Sequence, residues 1–160
     1  MKNYISTLIL LFVVSISAYA QNEANPWKIT VGTNAVNLLL DGKDREAQIS
    51  PNFSYLEISK YIGAGFSVDL AGTINNIDRQ SGADDLYYGI DLGTSLSANQ
   101  IVDLGKFEPT LRGGVGLAGG VSGIAINDDD FFVTYAGAGL NYWFNDALAL
   151  TLKTTYKIYS

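Results

Sequence analysis

The chain has no cysteine and no histidine in 160 residues, one methionine and three prolines. Without Cys there is no disulfide, no thiol nucleophile and no acylated N-terminal cysteine of a lipoprotein. Without His, the Ser-His-Asp arrangement and the common zinc sites are excluded. Carboxylates are plentiful, so carboxylate-pair chemistry stays open in principle. Nothing singles out a pair, however, and no Ser has a recognisable base near it in sequence. The chain reads as a non-enzyme that needs no cofactor or metal. After residue 20 no run approaches the roughly 18–20 apolar residues of a membrane-crossing helix. No stretch shows a helical period, low complexity or a linker between domains.

What is present begins with a leader. Lys2 gives a positive start, Leu8 to Val14 an apolar core, and Ala18-Tyr19-Ala20 a small-x-small cleavage site, which together read as a secretory signal over residues 1–20. A retained anchor is the competing reading, and the short core and the cleavage pattern count against it. The mature chain is expected to begin near Gln21 and to form one domain over 21–160. Export without a helical anchor leaves the periplasm, the outer membrane or the exterior. Loss of Lys2 takes the formal charge from -6 to -7, with 16 acids against nine bases. An acidic exported chain lacks the basic face of a nucleic-acid binder.

The strongest pattern is alternation. Phe66, Val68, Leu70, Gly72 and Ile74 interleave with Ser67, Asp69, Ala71, Thr73 and Asn75. Leu86 to Ser97 and Leu148 to Thr155 repeat the pattern. Successive side chains of a strand point to opposite faces, so each segment has one apolar face and one charged or small face. Seven strands follow: Trp27 to Asn37, Phe53 to Ile62, Phe66 to Asn75, Leu86 to Ala98, Phe107 to Gly119, Phe131 to Phe144 and Ala147 to Ile158. Gly63-Ala64-Gly65 and Asn145-Asp146 read as tight turns, Asn99 to Lys106 as intermediate. Asp41 to Asn52, Asn76 to Asp85 and Gly120 to Asp130 read as long polar loops. Short turns on one rim and long loops on the other are the layout of an antiparallel up-and-down transmembrane β-barrel, with seven strands visible of an expected eight. Leu38-Leu39-Leu40 fits an outer loop poorly, unless it extends the first strand past a bulge.

Trp and Tyr favour a lipid–water boundary, where ring and polar tip are both satisfied. Trp27, Tyr61, Phe66, Phe107, Tyr142 and Trp143 fall at the short-turn rim. Phe53, Tyr55, Tyr87, Tyr88, Phe131, Phe132 and Tyr156 fall near the other. Two such rings match the aromatic girdles of a membrane barrel; plugs at the ends of a soluble barrel are the alternative. Lys60 shares the apolar face but lies close to a turn, where a long side chain reaches the headgroups. Pro109 is expected to mark a bulge or a strand start.

The same alternation turns Glu57, Asp69, Asp91, Glu108, Arg112, Lys153 and Lys157 inward. Glu57, Asp91, Arg112 and Lys153 lie at similar heights, at about 3.3 Å per residue. Acids and bases at one level neutralise one another where an unpaired charge is costly. An eight-strand barrel is just wide enough for side chains to fill. The lumen therefore reads as plugged by a structural ion-pair network, with a gate for small ions as the alternative.

Two motifs resemble chemistry. Gly114-Val115-Gly116-Leu117-Ala118-Gly119 has the GxGxxG spelling of a dinucleotide site, but no helical period follows it. Its glycines are better explained as room inside the barrel for large neighbours such as Arg112. Asn127-Asp128-Asp129-Asp130 lacks the Gly and bidentate Glu spacing of a calcium loop and reads as a solvated acidic loop.

Asn25-Pro26-Trp27 leading into Val31 to Val36, Tyr61 to Leu70 around the Gly63-Ala64-Gly65 turn, and Gly139-Leu140-Asn141-Tyr142-Trp143-Phe144-Asn145-Asp146 before Ala149 to Leu152 resemble the N-terminal β-barrel of OmpA-like outer-membrane proteins. The resemblance covers nearly all of residues 21–160. It implies an eight-strand barrel in the outer membrane of a diderm bacterium that helps maintain the envelope, with weak porin activity at most. Lipid and lipopolysaccharide are then the partners, and the acidic Asp84-Asp85 and Asp128 to Asp130 are expected to meet lipopolysaccharide through bridging cations. Peptidoglycan becomes a partner only with a further C-terminal domain. An eighth strand is not visible before Ser160, so the chain is expected to be a C-terminally incomplete fragment or truncated product. The alternative is a soluble periplasmic lipocalin-like carrier of an apolar ligand, with its apolar faces inward and charges such as Asp69 and Asp91 in water.

Overall fold

Every long alternating segment of the sequence is a strand. The computed structural model describes residues 13–18, 22–36, 39–40, 43–44, 48–49, 53–78, 84–120 and 131–159. Eight strands form the wall: β1 (Val13–Ala18), β2 (Trp27–Thr33), β3 (Tyr55–Gly63), β4 (Phe66–Asp78), β5 (Asp84–Ser97), β6 (Phe107–Gly119), β7 (Phe131–Asn145) and β8 (Leu148–Tyr159). They close an up-and-down barrel in the order β1-β8-β7-β6-β5-β4-β3-β2, and every neighbouring pair is antiparallel.

β2 to β8 are the seven strands read from the sequence. The eighth place is filled from the other end of the chain, by residues that also read as the leader. Ile16 stands in register with Leu150 on β8 and Val31 on β2, and Ser17 with Ala149 and Thr30. β2 and β8 run in the same direction, and β1 lies antiparallel to both.

Local chemistry fixes the short-turn rim. Gly63 (φ 117°) and Gly65 (φ 80°) flank Ala64 (φ 50°), a left-handed run that glycine enters without steric cost. Between β7 and β8, Asn145 Oδ1 accepts the Ala147 N–H at 2.8 Å, an Asx turn. Pro109 pairs with Leu140 on β7, while the ladder to β5 begins one residue later, at Thr110 and Ser97. On that side it marks the strand start.

At the opposite rim, buried Asn34 ends β2. Its N–H donates to Ser54 Oγ at 3.0 Å, and its Oδ1 accepts from Ser54 Oγ and Asn75 Nδ2, each at 3.0 Å. Beyond it lie two separate short ladders: Ala35–Val36 pairs with Gln48–Ile49, and Leu39–Leu40 with Lys43–Asp44. Leu39 and Leu40 of the apolar triplet thus stand in a two-stranded sheet of their own, apart from the barrel wall, and Leu38 lies outside the described residues. The acidic segment Asn127 to Asp130 lies outside the described residues, as do Met1 to Phe12 and Tyr19 to Gln21.

The two faces of the wall differ in kind. Ile29, Leu70, Ile90, Leu92 and Leu150 all lie on the exposed outer face, with Ile90 59% exposed. Inside, Glu57 and Lys157 are each 1% exposed, and Asp91 4%. The interior is built of charged, hydroxyl, amide and tyrosine side chains, among which Val133 is the one large buried aliphatic of the described residues.

Candidate functional site in the charged lumen

Glu57 is the hub of the lumen. It stands on β3 between two other inward residues, Tyr55 and Ser59. Arg112 on β6 crosses the interior to place Nη1 3.0 Å from Glu57 Oε2. Lys153 on β8 forms an ion pair with Oε1 of the same carboxylate. Tyr55 Oη donates to Oε2 and accepts from Arg112 Nη1 at 3.1 Å, and Ser59 Oγ donates to Oε1 at 3.3 Å. Two rings complete the cage. The Arg112 guanidinium lies 5.5 Å from the Tyr135 ring centre, and Lys153 Nζ 5.6 Å from that of Tyr55, both within cation–π range.

Asp91 does not join this hub. It faces Lys157, whose Nζ donates to both carboxylate oxygens at 2.7 Å. Glu108 sits apart as well, near the short-turn rim, where its Oε2 accepts from Asn141 Nδ2 at 2.9 Å and Trp143 Nε1 at 2.8 Å. Asn141 is itself fixed by Thr151 Oγ1 at 2.7 Å. Asp69 is buried, and its Oδ1 has no hydrogen-bond partner among the described residues. Of the six residues assigned to one network, the structure thus brings Glu57, Arg112 and Lys153 together and separates Asp69, Asp91 and Glu108 from them.

Small residues make these crossings possible. A Cβ on Gly116 would collide with Asp91 Oδ1 and the Ile90 carbonyl, and one on Gly114 with the Leu92 carbonyl and Tyr135 Oη. The glycines of the GxGxxG spelling make room for Asp91 and Tyr135, correcting the expectation that Arg112 is the neighbour. The motif lies wholly within β6, so the strand–helix junction that would cradle a phosphate is not formed there.

The aromatic girdle also needs correction. Trp27, Phe66, Phe107 and Tyr142 lie on the outer face at the short-turn rim, and Tyr88, Phe132 and Tyr156 towards the other. Phe107 and Tyr142 are in ring contact at 5.0 Å. Lys60 is outward too, with Nζ 5.2 Å from the Trp27 ring centre. Tyr87, by contrast, is 1% exposed and inside. Tyr61 pairs with inward Ser67, and Trp143 with inward Ala149, so both rings face the lumen. Tyr55 is likewise interior. The side chain of Phe131 lies outside the described residues.

Lys28 is an inward charge that the sequence analysis misses. It pairs with Ser59 and brings the described interior to four bases, with Arg112, Lys153 and Lys157, against the four acids Glu57, Asp69, Asp91 and Glu108. Its signal was available, since Trp27 and Ile29 on either side are outward. Among the described residues, no group of three or more acids is placed to hold a metal ion. No protein-family model and no curated protein matches the chain.

Proposed function

We propose that this chain is a non-enzymatic barrel of the outer membrane, serving envelope integrity, with its lumen plugged by paired charges and weak solute passage at most. One observation carries this: the wall is inverted relative to a soluble protein, with large aliphatic side chains exposed outside and ionised ones buried inside. A contiguous exposed apolar band of this extent marks contact with lipid or another apolar partner. A strand wall with closed hydrogen-bond ladders is one of the two structures that satisfy every backbone group in a bilayer. Outward rings at both rims, and Lys60 beside Trp27 at one of them, add support. The partners that follow are outer-membrane lipid and lipopolysaccharide. The resemblance to OmpA-like barrels points the same way, and peptidoglycan enters only through a further domain.

A lipocalin-like carrier requires an apolar interior and Asp69 and Asp91 in water, whereas they are 2% and 4% exposed. Extraction tests the membrane assignment. Membranes from cells making the chain are washed in high salt and then in carbonate. The protein is expected to stay in the pellet until detergent is added, and release without detergent would overturn the proposal.

A further inference from the structure

Three of the four inward bases have an acid: Arg112 and Lys153 share Glu57, and Lys157 holds Asp91. Lys28 forms no hydrogen bond or ion pair with any described residue, although it is only 6% exposed. The Glu57 carboxylate acts on Lys28 through space, but it is already bound by Arg112 and Lys153, and a buried ammonium with no contact partner is among the costlier things a fold can carry. Its surroundings explain what offsets that cost. Lys28 lines a cavity of about 320 Å³ at the short-turn mouth of the lumen, together with Ser95, Ser97 and Thr110. That volume lies at the small end of ligand sites. The rings of Tyr61 and Trp143 form part of its wall.

We propose that this mouth is a binding site for a small carboxylate-bearing molecule, with the carboxylate seated on Lys28 and hydrogen-bonded by the mouth hydroxyls. The charge count selects the class. Lys28 supplies the one buried positive charge; Lys106, Glu108 and Asp146 also line the cavity, and the exposed Lys106 and Asp146 offset one another. A monoanion neutralises Lys28; a dianion such as phosphate leaves excess negative charge beside the part-buried Glu108 in a low-dielectric mouth. Glu108 is oriented by Asn141 and Trp143, which both donate to its Oε2, and it forms no ion pair with Lys28. The flat rings suit the body of a polar ligand whose charged end enters first. The site stands whether the outer wall meets lipid or water, because it rests on the interior alone.

The test is a titration of the full chain, in zwitterionic detergent micelles, followed by amide ¹H–¹⁵N correlation spectra. Sodium acetate is compared with sodium chloride and sodium phosphate at equal ionic strength. The amides of Lys28, Ser97 and Thr110 are expected to shift saturably with acetate, and more weakly with the other two. Lys28→Gln is expected to weaken acetate binding about tenfold or more, the loss of one charge-assisted contact, with the circular dichroism of the barrel unchanged. If Lys28→Gln does not fold, the double variant Ser97→Ala, Thr110→Val serves instead, and several-fold weaker acetate binding is expected. Shifts that follow ionic strength alike for all three salts would overturn the proposal. So would chloride or phosphate binding as tightly as acetate, or an unchanged acetate response in a folded variant.

Discussion

Arg112 reaches across the lumen from β6 to set its guanidinium 3.0 Å from the carboxylate of Glu57 on β3, on which Lys153 of β8 also converges. One acid thus holds two bases that reach it from β6 and β8, the strands on either side of β7. Its removal leaves two buried cations facing each other. Glu57→Gln is expected to destabilise the barrel by about 3–5 kcal/mol, the typical cost of breaking a buried ion pair by removing one partner. Adding Lys153→Met should recover part of that loss. Urea unfolding of the single and double variants in micelles measures both, and equal stability of Glu57→Gln and the parent would show that the hub is not structural.

Asp91 and Lys157 form a separate pair, bonded at 2.7 Å through both oxygens. A double-mutant cycle on Asp91→Asn and Lys157→Met should therefore show a coupling energy of about 0.5–3 kcal/mol. A cycle on Lys157→Met and Glu57→Gln should be additive to within about 0.5 kcal/mol. Strong coupling in the second cycle would mean that the lumen acts as one network.

Two glycines make a matched comparison. Gly116 faces inward against Asp91, where an added Cβ has no room; around Gly72, on the outer face, nothing lies within 4 Å. Gly116→Ala should cost about 1–3 kcal/mol through overpacking. Gly72→Ala should be neutral or stabilising by about 0.4–1 kcal/mol, because alanine narrows the unfolded ensemble. Thermal or urea unfolding distinguishes them, and equal effects would contradict the packing described.

Leu70 on β4 pairs with Ile58 and Leu92, so it lies at the centre of the outer apolar band. In a bilayer, Leu70→Arg should cost about 2–4 kcal/mol, the penalty for arginine at the midplane of a barrel. At a water-exposed surface the same change should fall within about 0.5 kcal/mol. Folding titrations into lipid vesicles give the answer, and a neutral result would count against lipid contact.

Strand parity made most of the wall legible. Alternation alone gave seven strands within a few residues, because outer and inner faces demand different chemistry at every second position. It also turned Glu57, Asp69, Asp91, Arg112, Lys153 and Lys157 inward, where each is now found buried. Reading aromatic residues by height, without parity, put Tyr87 and Trp143 on the girdle; each has outward neighbours on both sides, which makes it an inward residue. Lys28 is missed for the same reason: it lies close to a strand end, and only the outward Trp27 and Ile29 beside it mark it as inward. Which acid meets which base is a different kind of question. Glu57, Arg112 and Lys153 are joined across the barrel, and such crossings depend on strand tilt and stagger, quantities that a single chain's residue spacing does not contain.

The place of β1 has a consequence for processing. Its six register pairs with β8 and five with β2 make it the closing stave, and the expected cleavage site at Ala18-Tyr19-Ala20 severs it from the rest of the wall. On the leader reading, export and closure draw on the same six residues. A chain cut after Ala20 presents two edges that run in the same direction, and a single strand descending from the long-loop rim mends both at once. Under the outer-membrane proposal, whatever lies in that seam decides whether the barrel completes itself or waits for another segment, and the intact mass of the protein in purified membranes reads that decision directly.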